Sequence, residues 1–137
     1  MIVRVLSLLL LLFLFSACQE KAKPVIRKSS TLKTPVTCMK INLLADDKEL
    51  TDKLRLLYSF DDNCPLDLTL SYKKDIVCNS SYNAVSKNMG KFPKSFLKLE
   101  LRRGMKVVYS YYVDLYSNVD EEDVEEGFLQ LKSDLLL

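Results

Sequence analysis

Hydrophobic and polar positions follow one another along this chain with a period that changes several times, and each change marks an element. Met39, Ile41 and Leu43 alternate with Lys40 and Asn42, the pattern of a half-buried strand. Asp46-x-x-Glu49 then has the form of a capping box, and Leu50, Leu54 and Leu57 follow at the i, i+4, i+7 spacing of one helical stripe. Asp61, Asp62, Asn63 and Pro65 end that helix. Leu66, Leu68, Leu70 and Tyr72 next alternate with Asp67, Thr69, Ser71 and Lys73, and Lys73-Lys74-Asp75 is expected to turn the chain into a short return strand ending near Cys78.

Residues 79–94 are rich in Asn, Ser and Lys and hold Gly90 and Pro93, so a long irregular connection is expected there. Leu97, Leu99 and Leu101 restore the two-residue period, and Arg103-Gly104 supplies the turn of a hairpin. Its second strand sets Met105, Val107, Tyr109, Tyr111, Val113 and Leu115 on one side. Asn118-x-x-Glu121 offers a second helix cap, the acids of 120–123 complement the positive end of the helix dipole, and Val124, Phe128, Leu131 and Leu135 form the apolar stripe. Each strand and each helix thus has one apolar face. The economical arrangement is an α+β two-layer sandwich, with a mostly antiparallel sheet of four or five strands and both amphipathic helices on one face.

Ahead of these elements stands a different pattern. Arg4 is followed by an almost unbroken apolar run over 5–15 and then by Ser16, Ala17 and Cys18. About eleven apolar residues are too few to cross a bilayer core of about 30 Å as a helix, and they fit the central region of a secretory signal peptide. Leu14-Phe15-Ser16-Ala17-Cys18 resembles the lipobox of bacterial lipoproteins, with Phe15 where that family usually has Leu, Val or Ile. The resemblance is confined to the leader. It implies that signal peptidase II removes residues 1–17, that Cys18 becomes the acylated first residue, and that the acyl chains are the membrane anchor. Gln19, standing where an Asp would signal inner-membrane retention in enterobacterial members, implies the outer membrane, facing the periplasm.

Removal of the leader changes the composition. The 48% apolar content of the whole chain falls to about 43% in the remaining 120 residues, ordinary for a globular domain. Residues 18–36 contain Pro24, Pro35, a Ser29-Ser30-Thr31 cluster and five basic side chains without sustained periodicity, which reads as a flexible tether. Residues 37–137 then form a single domain.

The chain has no His, no Trp and only three Gly. The absence of His excludes Ser-His-Asp and Cys-His catalytic units and His-ligated metals, and three scattered glycines cannot make a phosphate-cradling loop. No cofactor and no metal is expected. Of the four cysteines, Cys18 is assigned to the lipid, which leaves Cys38, Cys64 and Cys78; in an exported protein one bridge and one free thiol are the default. With a tight turn at Lys73-Lys74, Cys78 lies opposite Thr69, five positions from Cys64 on a strand rising about 3.3 Å per residue. That gap far exceeds the roughly 4.4–6.8 Å between bridged Cα atoms, so Cys38 should be one member of any bridge.

Charge is segregated. Residues 84–106 carry seven basic side chains and one acidic, whereas 107–137 carry one basic and eight acidic. Either the two regions neutralise each other, or Lys98, Arg102, Arg103 and Lys106 face an anionic partner. Val108, Tyr112 and Tyr116 fall on the side of the last strand opposite its apolar stripe, and aromatics among cations have the composition of a protein-contact patch. These seven residues are the candidate partner surface. The expectation is a non-catalytic, lipid-anchored envelope protein that works through a protein partner as scaffold, adaptor or assembly accessory, with no nucleic acid involved. The alternatives are an inhibitor or immunity-type lipoprotein and a carrier of lipid or another small ligand.

Overall fold

A computed structural model describes residues 21–43, 47–77 and 92–137. The leader, Cys18, Cys78 and most of the expected 79–94 connection lie outside the described residues. Five strands, β1 (Val25–Lys28), β2 (Lys40–Leu43), β3 (Leu66–Lys73), β4 (Ser95–Arg103) and β5 (Lys106–Leu115), form one sheet in the order β1-β5-β4-β3-β2. Two helices, α1 (Lys48–Leu57) and α2 (Glu121–Leu135), complete an α+β fold. Every strand pairing is antiparallel except β2 with β3, which is parallel and joined through α1. No helix among the described residues is long and apolar enough to cross a membrane.

The core follows the alternation. Leu66, Leu68 and Leu70 of β3, Leu97, Leu99 and Leu101 of β4, and Tyr109, Tyr111, Val113 and Leu115 of β5 are buried together with Leu50 and Leu54 of α1 and Val124, Phe128, Leu131 and Leu135 of α2. Burying each such side chain contributes about 1.5–3 kcal/mol. The Phe128 ring lies 6.1 Å from Tyr58 and 6.4 Å from Phe60, so the residues that follow α1 close the seam between the helices. Gly127 faces the sheet, where a Cβ would stand 2.9 Å from Tyr111 Cε1 and 3.4 Å from Leu99 Cδ1. The missing side chain lets α2 approach β4 and β5 this closely.

Both helix caps sit later than the spacing suggests. Asp47, next to the expected Asp46, caps α1 by accepting from the backbone N–H groups of Glu49 and Leu50 at 3.1 and 3.2 Å. Asp120, not Asn118, caps α2, and Asp123 completes a reciprocal capping box at 3.1 Å in each direction. In both places several capping residues are clustered, and the side-chain pattern does not choose among them.

Three further expectations are corrected. The stretch read as tether supplies the edge strand β1, which pairs with β5 from Val25 opposite Tyr112 to Lys28 opposite Tyr109. Downstream, Leu32 and Val36 are buried, and Val36 N–H donates to the Leu135 carbonyl across the end of α2. Among the described residues 74–77 no return strand forms: β3 pairs with β4 over its whole length, and Ile76 instead donates to the Lys94 carbonyl. Finally, Cys38 is bridged to Cys64 with their Cα atoms 5.9 Å apart. The conclusion that Cys38 takes part holds, but its premise of a 64–78 hairpin does not. The parallel register is the reason: Lys40 opposite Asp67 carries Cys38 up beside Cys64.

Candidate functional site

With both helices on one face, the residues at alternate positions of the strands point to the other. Strand pairing sets Lys98 opposite Tyr112, Glu100 opposite Ser110, Arg102 opposite Val107 and Arg27 opposite Ser110 on its other side. Directly opposed residues of antiparallel strands project to the same face. The open face therefore carries Phe96, Lys98, Glu100 and Arg102 from β4, Ser110, Tyr112 and Asp114 from β5, and Val25 and Arg27 from β1.

Two local networks organise this surface. Glu100 is bracketed by Lys98 Nζ at 2.8 Å and Arg102 Nη2 at 3.3 Å, both on its own strand. Burial alone would raise the Glu100 carboxyl, but the hydrogen bonds from Lys98 and Arg102 outweigh it and hold the group below the usual carboxylate range. One carboxylate thus neutralises only part of two cations, and the strip keeps a positive excess. Beside it the Phe96 and Tyr112 rings stack at 5.6 Å between centroids, and the Tyr112 hydroxyl donates to Asp114 Oδ1 at 2.7 Å. Burial, followed by the neighbouring Asp114 carboxylate, pushes the Tyr112 phenol up to about 12, so it remains a donor at neutral pH. Between β1 and the middle of β4 runs an open groove of about 670 Å³ bordered by Val25, Arg27, Lys98, Glu100, Val107 and Tyr112.

The structure brings Lys98, Arg102 and Tyr112 together on this face. Arg103 and Lys106 are paired across the β4–β5 turn and occupy the tip of the hairpin, with exposed Met105 between them. Tyr116 is exposed but lies beyond the end of β5, away from the groove. Val108 borders the groove but is only 2% exposed, so it offers a partner almost no surface. The correction has a local cause: the ladder passes from Leu101 opposite Tyr109 to Arg102 opposite Val107, so Val108 is the extra residue of a β-bulge. The bulge reverses the alternation before Tyr109, which is why Val107 lies on the open face and not on the apolar one. Met105, placed on the apolar stripe by the same alternation, is 94% exposed in the turn.

Phe96, Glu100, Val25 and Arg27 were absent from the expected surface. The first two share the parity of Lys98 and could have been read from the same alternation. Val25 and Arg27 could not, because their strand carries no periodic signal.

Other polar residues have structural work. Asp61 Oδ1 accepts from Asn63 N–H at 2.9 Å in the turn after α1, and the acids at the start of α2 cap that helix. Among the described residues, no three His, Cys, Asp or Glu side chains are grouped to hold a metal ion. The acidic segment does not pair with the basic one in any described ion pair. Its carboxylates meet Lys21, at 2.9 Å from Asp123 and 2.7 Å from Glu126, and Lys53, at 2.6 Å from Glu125. Comparison with known proteins finds no matching family model, no matching curated protein and no matching solved structure.

Proposed function

We propose that the protein is a lipid-anchored component of the bacterial envelope, attached through Cys18 to the outer membrane, and that it acts by contact with a protein partner and not by catalysis. The observation that carries this reading is the sidedness of the sheet. One face is sealed by α1 and α2, while the other gathers stacked aromatic rings, a charge strip with excess positive charge and an open groove. Aromatic and Arg side chains are enriched where proteins bind one another. The leader ending in Cys18 supports attachment, and attachment raises the concentration of the protein near any partner held in the same layer.

Two experiments test this. Cells fed an alkyne fatty acid should label the wild-type chain and not a Cys18→Ser variant; labelling of the variant refutes the anchor. A photo-crosslinking amino acid at position 112 should give a discrete protein adduct in intact cells, reduced at least several-fold by Arg102→Glu with the thermal midpoint unchanged. An adduct indifferent to Arg102, or none at all, refutes the contact surface.

A further inference from the structure

How the chain leaves the domain bears on how the domain stands over a membrane. Lys21 is clamped between Asp123 and Glu126, and the Asp123 side chain is only 5% exposed. Asp123 divides its carboxylate: Oδ1 meets Lys21, while Oδ2 accepts from the backbone N–H of Asp120 in the capping box. Removing the cation from so buried a carboxylate is costly, so this contact is stronger than a surface ion pair. Lys28 makes a second tie further along, donating to the Asp134 carbonyl of α2 at 2.7 Å. Together with the β1–β5 ladder, these contacts bind residues 21–28 to the body of the fold.

The consequence is geometric. Only three residue steps separate Cys18 from Lys21, a reach of about 10 Å even when fully extended. A free segment of 17 residues would have a typical reach of roughly 20–25 Å and would let the domain turn over. Asp123 lies in the first turn of α2, which follows the end of β5, and Glu126 lies one turn further on, beside the Gly127 that rests on Tyr111. From the end of β5 the β4–β5 tip is a full strand away, about 30 Å.

At the clamped end Lys21 and Lys53 neutralise Asp123, Glu126 and Glu125 of the α2 acids, whereas at the tip Arg103 and Lys106 flank Met105, which is 94% exposed. Lys106 is steadied by Thr31, 3.3 Å away, and meets no carboxylate among the described residues.

We propose that the Lys21 clamp fixes the lipidated N-terminus at the end of the domain where α2 begins, so that the Arg103–Met105–Lys106 tip stands away from the membrane and meets an acidic surface of a partner protein, not the headgroups beneath it. This rests on the lipid-anchor reading above. Acylated protein beginning at Cys18 would be placed in phosphatidylcholine vesicles carrying a headgroup fluorophore, with and without a third of phosphatidylglycerol, and a donor dye introduced at Lys94 or Met105. Energy transfer should be several-fold stronger from position 94 than from 105 in both vesicles, and Lys21→Glu should shrink that difference. In cells, a photo-crosslinker at 105 should give a protein adduct that Arg103→Glu with Lys106→Glu abolishes. Equal transfer from the two positions, a rise at 105 with phosphatidylglycerol, or adducts to lipid alone would overturn the orientation. Failure of the protein to float with vesicles would instead defeat the anchor reading itself.

Discussion

Gly127 offers a direct test of how α2 meets the sheet. In an exposed helix interior, alanine in place of glycine stabilises by about 0.5–1 kcal/mol, because it removes backbone freedom from the unfolded chain. Here the added Cβ would stand 2.9 Å from Tyr111 Cε1 and 3.3 Å from its Cδ1, and Tyr111 is itself only 3% exposed. The ring has little room to retreat, and overpacking of this kind costs about 1–3 kcal/mol. Gly127→Ala should therefore destabilise by about 0.5–2 kcal/mol net, seen as a lower urea midpoint at unchanged slope. In a Tyr111→Leu background the clash is gone and only the helical preference remains, so there the same substitution should be neutral or stabilising. A coupling of about 1–2 kcal/mol between the two sites is the quantity to measure. If Gly127→Ala stabilises the wild-type chain, the helix does not lie on Tyr111 as described.

Loss of the Cys38–Cys64 bridge, through paired Ser substitutions, frees a loop of 26 residue steps. Chain entropy puts the cost at about 3.5 kcal/mol, readable as a fall in the thermal midpoint of more than about 10 °C. Non-reducing peptide mapping should show this pair, and a Cys64–Cys78 peptide would contradict the fold. Asp47 is held below the ordinary carboxylate value, first by Lys74 and then by the backbone of Leu50. Its contribution is thus complete above pH 4 or so and is lost as pH falls through the lowered value, so Asp47→Asn should reduce stability near neutrality and flatten the acid limb of a urea-midpoint titration. Tyr109 is buried and donates to Asp134 at 2.8 Å; burial first, then the Asp134 carboxylate, raise its phenol well above the ordinary value of 10.0. Its stabilisation is therefore complete below about pH 10 and is lost progressively as pH rises above it, and ultraviolet titration should find it ionising only as the protein unfolds.

The amino-acid pattern carries whatever the core imposes. The stripes Leu66-Leu68-Leu70, Leu97-Leu99-Leu101 and Val124-Phe128-Leu131-Leu135 are buried as their periods require, because each apolar face must be covered. Edge strand β1 was illegible since all four of its residues are exposed to some degree. It is held by backbone bonds to β5, which any sequence can make. Strand pairing was legible only where a tight turn links neighbours, as at Gly104; the β3–β4 and β2–β3 partnerships are fixed by packing across long separations. On the candidate surface, Lys98, Arg102 and Tyr112 came from simple alternation, and Val108 was misplaced by a single bulged residue that leaves no mark in the amino-acid pattern.

Both rims of the sheet are short. β1 and β2 have four residues each; β1 bears Arg27 and Lys28, and β2 bears Lys40. An unpaired strand edge is a template for pairing with another copy, and brevity and cationic side chains are the usual protection. Confinement to a lipid surface would crowd copies side by side in two dimensions, the setting in which edge-to-edge joining is most favoured. With like charges on each rim, neighbouring domains would repel along the directions in which their sheets could fuse, leaving the open face free for a different molecule.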